Sequence, residues 1–252
     1  MMRISDTVKH LIIINVIVFI GAQTIGDGQL FYKWFALYFP QNNLFEPWQV
    51  ITHMFMHADL MHIFFNMFAL WMFGSAVEYQ LGAKKFLFIY FSAGLGAVLF
   101  QLGYYYFEFY PSFTMLANQG FEPNQIMETL NSGFGMRDTR WDQFFSGDGL
   151  KDFLRAFNAS MVGASGCIMG VLAAFGMMNP EAKLMLIFLP IPIKAKYFIP
   201  GIIILDLISG ITGQSFFSPS NTAYMAHVGG AVVGFIIMWY WRKNQFNNHR
   251  WN

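Results

Sequence analysis

Six apolar stretches decide what this chain can fold into. They run Val8–Ile25, His53–Val77, Phe86–Phe107, Ser165–Met178, Tyr197–Gly213 and Thr222–Trp241. Several approach the roughly 20 residues that an α-helix needs to cross a bilayer. Only 12% of the 252 residues are charged and 56% are hydrophobic, against about 25% charged in a soluble domain. The expectation is an all-α membrane protein, a bundle of six transmembrane helices.

The stretches differ in quality. The fourth is short. The fifth follows an apolar flank, "LMLIFLPIPI", and Pro190, Pro192 and Pro200 argue against one unbroken helix there. The first is too long for a secretory signal and lacks its small-residue cleavage site, so it is expected to stay as a span. Cys167 is the single cysteine, which leaves no internal disulfide. A net charge of +1 gives no reason to expect a nucleic-acid partner.

Lys and Arg set the expected orientation. With the N-terminus in the cytoplasm, Arg3, Lys9, Lys84, Lys85, Lys183, Lys194, Lys196, Arg242, Lys243 and Arg250 fall inside. Lys33, Arg137, Arg140, Lys151 and Arg155 fall outside. Both termini are read as cytoplasmic, in a multi-pass protein of a bacterial plasma membrane. Trp239, Tyr240 and Trp241 read as an interfacial belt. The whole chain, 1–252, reads as one membrane domain with a long extracytoplasmic insertion at about 108–160. That insertion is too charged to span. Short surface helices are expected in it at Pro123–Leu130 and Leu150–Phe157.

Ionisable and polar groups inside apolar spans are costly, so each is a candidate for function. "HMFMHADLMHIFFN" carries His53, His57, His62 and Asn66. His62 and Asn66, four apart, share a helix face. His53 and His57 form a second pair that one straight helix would aim elsewhere, so they are read as tying down the loop entering the membrane. No metal is expected: "HMFMH" lacks the glutamate of the zinc motif H-E-x-x-H.

"GASG" opens the fourth stretch with Ser165. Alone, Gly166 and Gly170 are an ordinary packing device between membrane helices. Read chemically, Ser165 stands where a helix N-terminus offers free N–H groups and favours developing negative charge. "AYMAHVGGAVVG" places His227 in the last stretch, one turn before Gly230, with Gly234 on the same face. Those glycines permit close approach to a neighbouring helix.

Depth links the three. Spans two, four and six run in the same direction. Ser165 opens its span, His227 sits roughly 8 Å into its own, and His62 sits roughly 15 Å into a stretch taken as helical throughout. A serine, a histidine able to take its proton and two further donors at similar depth form a hydrolytic set. No carboxylate is clearly placed as a third member. Asp59 reads as a loop or capping residue, and Asp206 in span five as a pairing or gating group.

"HMFMHADLMHIFFNM", "GASG" and "AHVGGAVVG", with "GSAVEYQLGAKKF" and "PIPIKAKY" between them, cover most of 47–241. In that order they resemble the rhomboid family of intramembrane serine proteases. The resemblance implies a six-helix bundle with Ser165 as nucleophile and His227 as general base. It implies His62, Asn66 and the Ser165 N–H as oxyanion donors, framed by Gly163 and Gly166; His57, Gly230 and Gly234 are expected to support the site from the positions already described. It implies transmembrane protein substrates cleaved near the outer side of the bilayer, and no cofactor. Span five or its loop, "SGITGQSFFSPSN", is the expected gate, with Gly210, Gly213 and Pro219 as bendable joints.

Two departures from the family's pattern stand out: "PWQV" puts Gln49 where the family often has arginine, so that Glu78 is expected to be bonded differently, and the 108–160 insertion is longer than in the minimal six-helix form. The polar residues also admit a catalytically silent rhomboid-like binding protein, or a histidine-based metal- or ion-handling membrane protein.

Overall fold

The computed structural model describes residues 3–186, 189–216 and 222–247. Pro219 of the expected gate and Arg250 of the tail lie outside them. The protein is mostly helical. Five helices are long and apolar enough to cross a membrane: Asp6–Thr24, Leu60–Leu81, Ala83–Asn118, Ala195–Thr212 and Tyr224–Lys243. The sixth expected span, Ser165–Met178, has only 14 residues, or roughly 21 Å against a hydrocarbon core of about 30 Å.

Helix α1 (Asp6–Thr24) is capped by a partner far along the chain. The Glu78 carboxylate accepts from the Ser5 hydroxyl at 2.5 Å and from the N–H groups of Thr7 and Val8 at 3.2 and 3.1 Å. An acidic group satisfying free N–H donors at a helix start is favourable by both hydrogen bonding and dipole. Glu78 therefore works as a cap for α1.

The first loop holds α2 (Gln29–Phe35), β1 (Leu37–Tyr38), α3 (Gln49–Thr52) and a 3-10 turn at His53–Phe55. Gln49 is fully buried. Its Oε1 accepts from the N–H groups of Tyr38 and Glu46, and its Nε2 donates to the carbonyls of Lys33 and Leu44. Those four bonds span 16 residues of loop, so an uncharged amide supplies the support expected of an arginine.

The second stretch is not helical from His53. Asp59 adopts an extended conformation and its carboxylate accepts from the His62 N–H at 2.8 Å, capping α4 (Leu60–Ala69). Asp59 is a capping residue, as expected. A π-helical turn at Leu70–Gly74 joins α4 to α5 (Ser75–Leu81) as one continuous rod. His62 consequently lies in the first turn of its helix, much nearer the entry end than the 15 Å expected from an unbroken stretch.

Gly82, at φ +81°, separates that rod from α6 (Ala83–Asn118). This helix has 36 residues, roughly 54 Å, which overshoots a bilayer by about 24 Å. The expected end at Phe107 is passed despite Glu108 and Pro111. The overhang is held by the segment that follows: α7 (Pro123–Asn131), a 3-10 turn at Thr139–Phe144, and α8 (Gly149–Asn158). Phe39, Phe109, Leu116, Ile126, Leu130, Trp141, Phe153, Ala156 and Phe157 form a core of their own there. Arg155 donates to Glu108 at 3.1 Å, and the Tyr104 hydroxyl donates to the same oxygen at 2.6 Å. Two of the expected short helices are thus present, and they pack on an extension of span three.

After β2 (Ser160–Met161), which pairs antiparallel with β1, comes α9 (Ser165–Met178). Every residue from Gly166 to Phe175 is buried. A helix apolar on all sides belongs at the centre of a bundle, and here it packs against α6 and α11 (Tyr224–Asn247). A methyl added to Gly166 or Gly170 would collide with Ala97 or Ala93 of α6. One on Gly230 or Gly234 would collide with the backbone of Gly166 or Gly170. The small-residue faces at four-residue spacing meet one another.

The proline-rich flank forms a hairpin, β3 (Lys183–Leu186) with β4 (Leu189–Lys194), before α10 (Ala195–Thr212). Pro190 and Pro192 fall in β4. Pro200 differs from expectation: it sits inside α10, past its first turn, and the helix continues through it despite the lost bond to the Lys196 carbonyl. Gly213, at φ +70°, closes α10.

Candidate active site

The site is assembled around Gly163. Its N–H donates to the His53 carbonyl at 2.9 Å, which pins the segment leading into α9 to the first loop. Its φ of +126° is open only to glycine without strain. A Cβ placed on it would lie 2.8 Å from His62 Nε2 and 3.7 Å from Asn66 Nδ2. His62 and Asn66 thus converge on the backbone just ahead of Ser165.

Both side chains present donors. His62 Nδ1 accepts from the Ala58 N–H across a long 3.4 Å contact. In a neutral ring that leaves the proton on Nε2, the atom facing Gly163. Asn66 Nδ2 is buried with no partner among the described residues. An unpaired buried N–H group costs on the order of 1–3 kcal/mol, and a site that retains one has a use for it. Ser165 supplies a third donor: it is the first residue of α9, and the earliest N–H groups of a helix have no acceptor within it.

Helix α11 brings His227 to the same place. The Ala226 carbonyl oxygen lies 3.6 Å from where a Cβ on Gly166 would stand. Gln101 of α6 sets the level of α11, its Oε1 accepting from the Ala226 N–H at 3.1 Å. His227 Nδ1 lies 2.8 Å from Asp206 Oδ2 on α10. The two side chains are 12% and 2% exposed. Composition and spacing give no register between spans five and six, so this pairing is not readable from sequence. The available signal is the presence of a carboxylate in an apolar span.

His53 and His57 stand beside the set. His53 Nδ1 donates to the Gln49 carbonyl at 2.8 Å. Together with its carbonyl bond to Gly163, that ties down the loop. His57 works differently from the expected tie. It is fully buried, and neither ring nitrogen reaches a partner with good geometry; a looser contact with the Phe55 backbone offsets little of its burial. Its ring packs edge-on against His62, with centroids 5.0 Å apart. Among the described residues no three His, Cys, Asp or Glu side chains gather as a metal site needs.

Burial keeps both loop histidines neutral. It pushes His53 down to about 4 and His57, with His62 beside it, down to about 3. The unfolded chain takes up protons on these residues near pH 6.5 and the folded one does not. Stability conferred by the neutral rings is therefore complete above about pH 6.5 and declines as pH falls toward about 4 for His53 and about 3 for His57. Thermal unfolding in detergent is expected to move to lower temperature across that window. His57→Phe, which cannot charge, should flatten the slope by on the order of 1 kcal/mol per pH unit.

Residues 44–112 and 144–244 match the family model described as Rhomboid domain. The chain belongs to the rhomboid family. Between the two matched blocks lie residues 113–143, the segment carrying α7 and, with Leu116, Ile126, Leu130 and Trp141, part of the second core. The chain is 25% identical over 194 residues to "Rhomboid protein 1, mitochondrial" of Saccharomyces cerevisiae. The match covers 77% of this chain and 42% of that protein. With five helices of membrane-crossing length, this rhomboid is a multi-pass integral membrane protein.

Proposed function

We propose that the protein is an intramembrane serine endopeptidase that cleaves single-span membrane proteins within the outer part of the bilayer. The observation that carries the reading is the convergence on Gly163 of His62 Nε2 and the unpartnered Asn66 Nδ2, beside the helix start that bears Ser165. His227 is the general base: it accepts the Ser165 proton as the hydroxyl attacks the peptide carbonyl, and passes it to the leaving amine. The oxyanion receives hydrogen bonds from His62, Asn66 and the Ser165 N–H. Water then releases the acyl group by the same route reversed.

The bundle counts six crossings in this reading. Helix α9 is short because it starts below the lipid surface, led in by β2 and Gly163. Both termini face the cytoplasmic side, the site opens outward, and the insertion with its second core stands on that outer side of a single membrane domain. A bacterial plasma membrane fits this orientation; the relative named above is mitochondrial, and the same physics holds there. The gate is α10 and the loop after it. Substrates carry helix-weakening Gly, Pro or small residues near the outer boundary, since a bonded helix offers no free carbonyl to Ser165.

Cleavage of a single-span substrate in liposomes, with the cut mapped by mass, tests the reading. Wild type is expected to cut within or just outside the outer third of the substrate span. Asn66→Ala is expected to lower kcat by on the order of 10²–10³, the usual loss for one oxyanion donor, with KM little changed. Cleavage confined to loops exposed to water, or an Asn66→Ala rate equal to wild type, contradicts it.

A further inference from the structure

We propose that Asp206 is the residue that positions the general base, so that the catalytic unit has three side chains on three helices. The inference rests on the serine-protease reading above and extends it.

The geometry is direct. Asp206 Oδ2 lies 2.8 Å from His227 Nδ1. An ionised carboxylate can only accept, so Nδ1 carries the hydrogen. In the neutral ring that leaves Nε2 bare, as the one nitrogen able to take a proton. Asp206 therefore selects the tautomer that the base needs and fixes the ring about its Cβ–Cγ bond. The carboxylate is 2% exposed and the imidazole 12%. A hydrogen bond to a charged group in such surroundings is stronger than its surface equivalent.

Burial argues the same way. A carboxylate in an apolar span is expensive to keep. Its neighbours along α10 are Ile204, Leu205, Leu207 and Ile208, all apolar. A pairing needed only to join α10 to α11 could be made by apolar packing, as Gly210 does against Met225.

Proton movement balances without further reagents. As the Ser165 oxygen bonds to the substrate carbonyl carbon, its proton passes to His227 Nε2. The imidazolium then holds a proton on each nitrogen. Asp206 stays ionised and stabilises that cation through the Nδ1–H bond. The Nε2 proton goes to the departing amine as the peptide bond breaks, and the neutral ring returns.

Asp206→Asn is the test, read in three ways on folded protein. Turnover of a single-span substrate is expected to fall on the order of 10⁴ in kcat, the usual loss when this tautomer control is removed, with KM unchanged. Labelling of Ser165 by a fluorophosphonate should slow in parallel. Asp206→Glu, which keeps the charge, should recover part of both rates. A wild-type measurement covers the case in which the variants fail to fold: nitrogen NMR of the histidine-labelled protein should find the His227 proton on Nδ1, and a proton on Nε2 overturns the proposal. Asp206→Asn with wild-type turnover and labelling overturns it while leaving the serine-protease reading intact. Faster turnover or a lower KM in that variant means the contact is a latch between α10 and α11, which also overturns it. A wild type that neither cleaves nor labels sinks the protease reading itself.

Discussion

Ser165→Ala brings cleavage of a single-span substrate to background, a loss expected to be on the order of 10⁶ in kcat. His227→Ala should cost nearly as much. The double variant should cost no more than either alone, because nucleophile and base act as one unit and removing one already silences the other. That non-additivity separates a chemical pair from two residues that merely support the fold. Ser165→Ala is the cleaner half, since it removes one oxygen at the start of α9 and leaves the packing of Gly166 and Gly170 untouched. His227→Ala also removes the hydrogen bond to Asp206, so its melting temperature must be compared with wild type before its rate is interpreted.

Gly230→Val is the second large effect. Even a methyl at Gly230 would strike the Gly166 carbonyl, one residue past Ser165. Backbone cannot turn aside as a side chain can, so α9 and α11 must part. Overpacking a close-fitted interior costs typically 1–3 kcal/mol, occasionally more, and a clash with main chain lies at the upper end. The variant should melt well below wild type, and any folded fraction should be inactive because the helices carrying Ser165 and His227 no longer meet. Gly103→Ala is the control: nothing lies within 4 Å of a Cβ there, and both melting and turnover should match wild type.

Much of this was legible in the residues. Hydropathy alone places the long spans, because a bilayer demands a fixed length of apolar helix. The Gly-Ala-Ser-Gly start of α9 and the Gly230–Gly234 face of α11 are legible for a similar reason: close helix contact in lipid needs small residues at four-residue spacing. What sequence could not give depends on contacts between distant segments. Hydropathy sees His53–Val77 as one run, and only the Asp59 carboxylate on the His62 N–H shows that the helix starts at Leu60. Glu108 and Pro111 look like the end of span three until Arg155 and the aromatic core around Phe109 and Phe153 are seen to hold the helix beyond them. Gln49 reads as the loss of a loop anchor, but its four bonds make it one. Asp206 is visible as a buried charge, yet its partner is set by how α10 lies against α11.

The most direct measurement of the central claim is the mass of the intact protein after reaction with a fluorophosphonate in a bilayer. One adduct per chain is expected, carried by the peptide that contains Ser165 and absent from Ser165→Ala. A label on any other residue, or an adduct that survives Ser165→Ala, contradicts it.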